Sequence, residues 1–278
     1  MTESRYLRIV AAFLYVLAFC CSTASAQDLI NTARFSIESI QSAMASAKLS
    51  KVAVKNDPIY NDARTYEGYP LVLVLKTLGV HISPTAWIRF SCRDGYAPEI
   101  PIKKVLDGSA FLAMRSLHKT AEHGWEPMWK DGKQTSPGPA YLVWTLPDEK
   151  PEEFPWPYQI VSIEVFSRQR ESIMAPREAG EIASKGFGIF AARCLKCHSL
   201  NGYGGEMGPE LLDPCSVTQY WTSEFLQAYI RKPQSIRAKA RMPSNEDLSD
   251  GDLRSVLAYL GYLVNHRKNS ASDHCPVP

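Results

Sequence analysis

Beyond residue 26 the sequence has no apolar run near the roughly 20 residues that cross a bilayer, so no transmembrane segment is expected in the mature chain. Nor has it a strong charge of one sign. Its 31 basic and 29 acidic side chains leave a net +2. No overall field speaks for nucleic acid; a local positive patch stays open, but no nucleic-acid partner is expected. Internal repeats and low-complexity tracts are missing too, which leaves out repeat arrays and biased disordered segments. An ordinary 45% hydrophobic content suits a packed globular protein, and 278 residues suit two modest domains.

The N-terminus reads as an address. Arg5 and Arg8 precede the apolar run Ile9 to Cys21, and Ala24-Ser25-Ala26 follows. Basic, apolar and small-residue segments in that order form a secretory signal, here cut after Ala26, with a periplasmic destination. The run is short for a membrane anchor. A lipid anchor on Cys20 or Cys21 is the other reading, which the bulky Phe19 fits poorly. Of seven cysteines, cleavage leaves Cys92, Cys194, Cys197, Cys215 and Cys275. In an oxidising compartment each needs a reason. Cys215 and Cys275 are either disulfide-linked or unpaired.

The expected fold class is α+β: a strand-rich, mixed N-terminal domain over 27–170, a linker over 171–177, and an all-α domain over 178–278. Lys51 to Lys55 alternates, and Trp87 to Ser91, Tyr141 to Thr145 and Tyr158 to Ser167 have strand length and composition. Pro70 opens a short helix toward Val80, and Pro101 another through Leu106. Helical spacing returns over Glu178 to Leu195 and Glu224 to Ile230. It returns again after Ser249, which can cap a helix carrying Leu253, Val256, Leu257, Leu260 and Leu263.

The run Cys194-Leu195-Lys196-Cys197-His198 carries the chemistry. Two thiols separated by two residues can both add to the vinyl groups along one porphyrin edge, and the following histidine then falls under the iron. Chance yields this pattern on the order of 0.004 times in such a chain. A redox dithiol would sit between strand and helix, whereas this motif ends a helix. A zinc site needs a second Cys or His pair, and none is suitably spaced. One covalent haem c is therefore expected, on Cys194 and Cys197 with His198 as iron ligand.

Around this motif, residues 178–267 resemble the class I cytochrome c family. Phe190 lies four residues before Cys194. S-L-N-G-Y-G-G-E-M-G-P-E-L follows His198, F-L-Q-A-Y-I-R-K-P-Q precedes A-R-M-P, and L-S-D-G-D-L-R-S-V-L-A-Y-L closes the domain. The resemblance implies that the Pro209 carbonyl orients His198 and that Tyr259 packs near Gly186 and Phe190. It also implies that Met242, 44 residues after His198, is the second iron ligand. Met207 is expected to pack, and His266 and His274 are rivals to Met242 near or past the last helix. Arg231, Lys232, Arg237, Lys239 and Arg241 fall in a stretch without an acid. They either steer an acidic redox partner or form a solvated loop that offsets haem propionates.

The N-terminal domain resembles small members of the sulfite-oxidase-type molybdopterin-binding fold. The carrying pieces are Y-E-G-Y-P-L, F-S-C-R-D-G-Y, I-P-I-K-K-V-L, G-P-A-Y-L-V-W and W-P-Y-Q-I-V-S-I-E-V. The resemblance makes Cys92, in a C-x-D-G-Y setting, a candidate molybdenum thiolate and catalytic residue. The same cysteine reads equally as a buried apolar residue. A cofactor-free module ranks ahead of one carrying molybdopterin. The leading function is therefore single-electron transfer by a periplasmic mono-haem cytochrome with an N-terminal docking or accessory domain. The alternative is a haem-molybdenum oxidoreductase acting on a small anion such as sulfite.

Overall fold

The computed structural model describes residues 32–80, 82–106, 108–121, 123–145, 153–167, 175–176 and 179–266. The expected signal segment, most of the linker, His274 and Cys275 lie outside these residues. Among those described, no helix is long and apolar enough to cross a membrane.

The N-terminal region is built on two four-stranded antiparallel sheets. Its strands are β1 (Ala33–Ser36), β2 (Ser50–Asp57), β3 (Asp62–Pro70), β4 (Ala86–Cys92), β5 (Glu99–Pro101), β6 (Ala110–Ser116), β7 (Met128–Lys130), β8 (Lys133–Thr135), β9 (Tyr141–Trp144) and β10 (Ile160–Ser167). One sheet runs β1-β10-β4-β5 and the other β2-β3-β6-β9, while β7 and β8 form a separate hairpin. Side chains alternate across a strand. Leu112, Leu142 and Trp144 therefore face a core shared with Ile88, Phe90 and Ile163 of the first sheet. Their neighbours Ala113, Tyr141 and Val143 enter a second cluster with Tyr66 and Trp125. Both faces of β9 are buried, which explains why its sequence reads as an unbroken apolar run.

Two short helices close the first core. α1 (Ile37–Ala43) starts at Ser36, whose hydroxyl accepts from the Ser39 amide, and buries Ile37 and Ile40. α2 (Leu71–Thr77) follows Pro70 and buries Leu71, Val74 and Leu75. The expected helix after Pro101 is a single 3₁₀ turn, Ile102–Val105.

The C-terminal region is helical: α3 (Glu181–Arg193), α4 (Val217–Tyr220), α5 (Ser223–Arg231), α6 (Pro233–Ile236) and α7 (Asp250–Asn265). It is not purely α. β11 (Ser199–Leu200) and β12 (Tyr203–Gly204) form a minimal hairpin. Its turn residues Asn201 and Gly202 both have positive φ, which is why an Asn-Gly pair occupies it. Ser249 caps α7, and Asp252 completes a reciprocal capping box. Leu253, Val256, Leu257 and Leu260 form the buried stripe of that helix.

Helices α3 and α7 cross at Gly186. A methyl group there would lie 1.8 Å from the Ser255 carbonyl oxygen and 3.0 Å from the Tyr259 Cβ. Phe187 and Phe190 flank the Tyr259 ring at 5.4 and 5.7 Å. Only glycine lets the backbones approach this closely. Gly186→Ala is expected to force the helices apart and destabilise the C-terminal region by about 1–3 kcal/mol, read from its urea midpoint.

Candidate haem site

The C-terminus of α3 delivers the motif. Cys194 is the C-cap of that helix, and the amides of Cys197 and His198 donate to the Cys194 carbonyl at 3.0 and 2.9 Å. One tight turn thus carries both thiols and the imidazole. Neither cysteine is disulfide-linked. Desolvation by the surrounding protein, and then the charge of Cys197, push the Cys194 thiol up to about 12. Desolvation also raises Cys197. Burial that disfavours a thiolate costs a neutral thioether nothing. Among the described residues no group of three or more Cys, His, Asp or Glu side chains converges as a metal site.

His198 Nδ1 lies 2.8 Å from the Pro209 carbonyl oxygen. A carbonyl only accepts, so Nδ1 carries the proton and Nε2 keeps its lone pair. The ring rests on Gly208, where a Cβ would come within 2.4 Å of His198 Cε1. Burial lowers the His198 pKa, favouring the neutral imidazole that an iron ligand must be. Gly208 itself is fixed by its amide donating to the Cys197 carbonyl at 2.7 Å. Glu210 ties the loop together: burial disfavours its charge, but the amides of Gly202, Leu212 and Asn201 outweigh that and hold it ionised.

Met242 lies in the loop between α6 and α7, and main-chain contacts pin that loop. Gln234 Nε2 donates to the carbonyls of Met242 and Ala240 at 2.7 and 3.2 Å. Asn245 Nδ2 donates to those of Pro243 and Ile230 at 3.1 and 3.2 Å. Met207 sits instead on the His198 loop, its sulfur 3.9 Å from Cys197 Sγ. His266 is engaged at the end of α7, stacked on Tyr262 at 3.9 Å. Cys215 is disulfide-bonded; Cys275, the partner considered for it, lies outside the described residues.

The basic stretch is largely spoken for. Arg231 pairs with Asp250, Lys232 with Glu246 and Arg241 with Asp131, while Arg237 lies over the rings of Trp221 and Tyr229. That distribution favours a solvated, internally balanced loop over a ring of unpaired cations.

Cys92 ends β4 and belongs to the N-terminal apolar core, 6% exposed. Burial raises its pKa strongly, so the thiol is held protonated. Its amide donates to the Tyr96 carbonyl and its carbonyl accepts from Gly95, closing a turn; Asp94 of that turn pairs with Lys130. The run is closed by its own backbone bonds and by outside partners, the Arg93 amide donating to the Gln159 carbonyl, and the Gly95 backbone is covered by Glu206 and Met207. These surroundings fit a packed thiol.

Helix crossing, loop and motif together define a c-type cytochrome domain. Comparison with known proteins agrees: residues 181–260 match the family described as cytochrome C oxidase, cbb3-type, subunit III. Cytochrome c oxidase subunit 2 of Alkalihalophilus pseudofirmus is 32% identical over 88 residues, covering 30% of this chain and 26% of that relative. The chain therefore matches about a quarter of that curated relative's length. No solved structure matches.

Proposed function

We propose that this protein is an exported mono-haem cytochrome that relays single electrons in the periplasm, its N-terminal domain serving as a docking or accessory module. In this reading Cys194 and Cys197 hold the haem as thioethers, His198 is the proximal ligand and Met242 the distal one. The bound group supplies a one-electron couple at its iron. The chain does the rest. Pro209 fixes the imidazole tautomer, Gly208 sets the ring plane, and the pinned Met242 loop keeps a sulfur donor available. The observation that carries the reading is the 2.8 Å contact between His198 Nδ1 and Pro209, with glycine beneath the ring. A neutral imidazole held as a ready donor beside two half-buried thiols suits an iron ligand next to thioether attachment.

The test is chemical. Expressed with a haem-attachment pathway, the protein should carry one haem per chain that stays with the polypeptide in acidified acetone. The Cys194→Ser, Cys197→Ser double variant should lose it. A colourless wild type, or pigment that extracts, sinks the proposal. The molybdenum-enzyme alternative finds no support around Cys92; metal analysis of the same preparation decides it.

A further inference from the structure

The N-terminal region meets the C-terminal region at the very loop that follows the haem-attachment turn. The Ala97 amide donates to the Lys196 carbonyl, the residue before Cys197, at 2.8 Å, and the Glu206 amide donates to the Gly95 carbonyl at 2.8 Å. The backbones touch: a Cβ on Gly95 would lie 2.6 Å from Glu206 C and from Met207 N, and Gly95 has φ +85°. Glycine is required here for space and for conformation alike.

A third point of contact is buried and charged. Tyr203 of β12 donates its hydroxyl to both carboxylate oxygens of Glu99 at 3.1 Å. Arg89 donates Nε to Glu99 at 2.6 Å and lies 4.6 Å over the Tyr203 ring. Lys196, Tyr203 and Glu206 surround Cys197 and His198 in sequence, so the contacts brace the haem loop from three places. Contacts at Lys196, Tyr203 and Glu206 thereby tie that loop to the N-terminal region.

We propose that the Asp94–Ala97 turn, clamped by Arg89, Glu99 and Tyr203, is an in-chain partner that occupies the thioether edge of the haem site. The proposal rests on haem being attached at Cys194 and Cys197. A free cytochrome would offer this edge to solvent and to other proteins. Here the chain fills it with its own backbone, so electron exchange with a separate protein takes place at another face. Gly95 and Tyr203 act as positioning residues; neither touches iron.

Hydrogen exchange and stopped-flow oxidation on the full-length holoprotein test this together. In the wild type the amides of Ala97 and Glu206 should exchange at least about 100-fold slower than open amides, and should do so together. Gly95→Leu wedges the seam. It should release both amides and make oxidation of the ferrous protein by hexacyanoferrate(III) several-fold faster, with the haem spectrum kept. Tyr203→Phe, which removes only the hydroxyl's bonds to Glu99, should shift both readings the same way by less, and does not depend on the wedge being tolerated. Fast exchange of either amide in the wild type overturns the proposal. So does an unchanged oxidation rate in variants whose amides are released. Haem content is measured on the same samples: chains lacking covalent haem overturn the electron-carrier reading and this one, whereas haem present with open amides overturns this one alone.

Discussion

Met242→Ala should lower the midpoint potential by on the order of 0.1 V or more, within the ~0.8 V that axial ligation spans, while covalent haem content stays the same. A thioether sulfur is a weak, soft donor that favours ferrous iron over ferric, so methionine opposite histidine raises the potential. Removing it leaves water or a stronger donor to fill the position, and the ferric state gains. The loop itself should survive the change. Gln234 and Asn245 hold it through main-chain carbonyls, which alanine retains. Met207→Ala is the matched control, because that sulfur sits on the His198 loop beside Cys197. It should move the potential little. A spectroelectrochemical titration of the three proteins reads the result. If Met242→Ala leaves the potential and the reduced spectrum unchanged, the distal ligand is elsewhere and the loop between α6 and α7 has another purpose.

The C-terminal half was readable because its constraints are local. Two thiols and an imidazole within five residues and a Ser-x-x-Asp cap each declare themselves within a few positions, while the Gly186 crossing with Tyr259 came only through the family resemblance. The Asn201-Gly202 hairpin was equally local, and its turn pair followed by Tyr203 was the signal for it. In the N-terminal half the strands at Lys51, Trp87, Tyr141 and Tyr158 could be placed, but their pairing could not. β10 runs between β1 and β4, partners far away in sequence, and nothing in a short window specifies that order. The seam was hidden for the same reason. Glu99 and Tyr203 are separated by 104 positions, and Arg89 looks like any surface cation until the fold buries it. Gly95 carried a hint as a glycine in a turn, but not that another backbone would press on it. The basic stretch 231–241 left two readings open, and the structure favours the solvated loop. Its cations look unopposed in sequence because their acids, Asp131, Glu246 and Asp250, lie outside it.

Arg89→Met should destabilise the protein by about 3–5 kcal/mol, the usual result of removing one partner from a buried ion cluster. Arg89 is 6% exposed, and its guanidinium serves Glu99 on β5 and Glu164 on β10, the latter at 3.6 Å. Methionine matches the stem but leaves two buried carboxylates without that cation. Lysine would not restore it, since one ammonium cannot face two carboxylates and also lie flat over the Tyr203 ring. The pair Arg241 and Asp131 provides the contrast. At 3.0 Å it also links the two regions, but both side chains are about half exposed, so Arg241→Ala should cost no more than about 1 kcal/mol. Urea unfolding of Trp221→Phe and Trp221→Phe/Arg89→Met proteins, followed by tryptophan fluorescence for the N-terminal region and by haem absorbance for the other, separates the cases. With Arg89 in place the two signals should change together, because the cluster fastens β4, β5 and the haem loop at once. With Arg89→Met they should part, with the N-terminal signal lost at lower urea. A loss below 1 kcal/mol, or signals that stay superimposed in the variant, would mean that the cluster is neither a structural keystone of the first sheet nor a fastening between the regions.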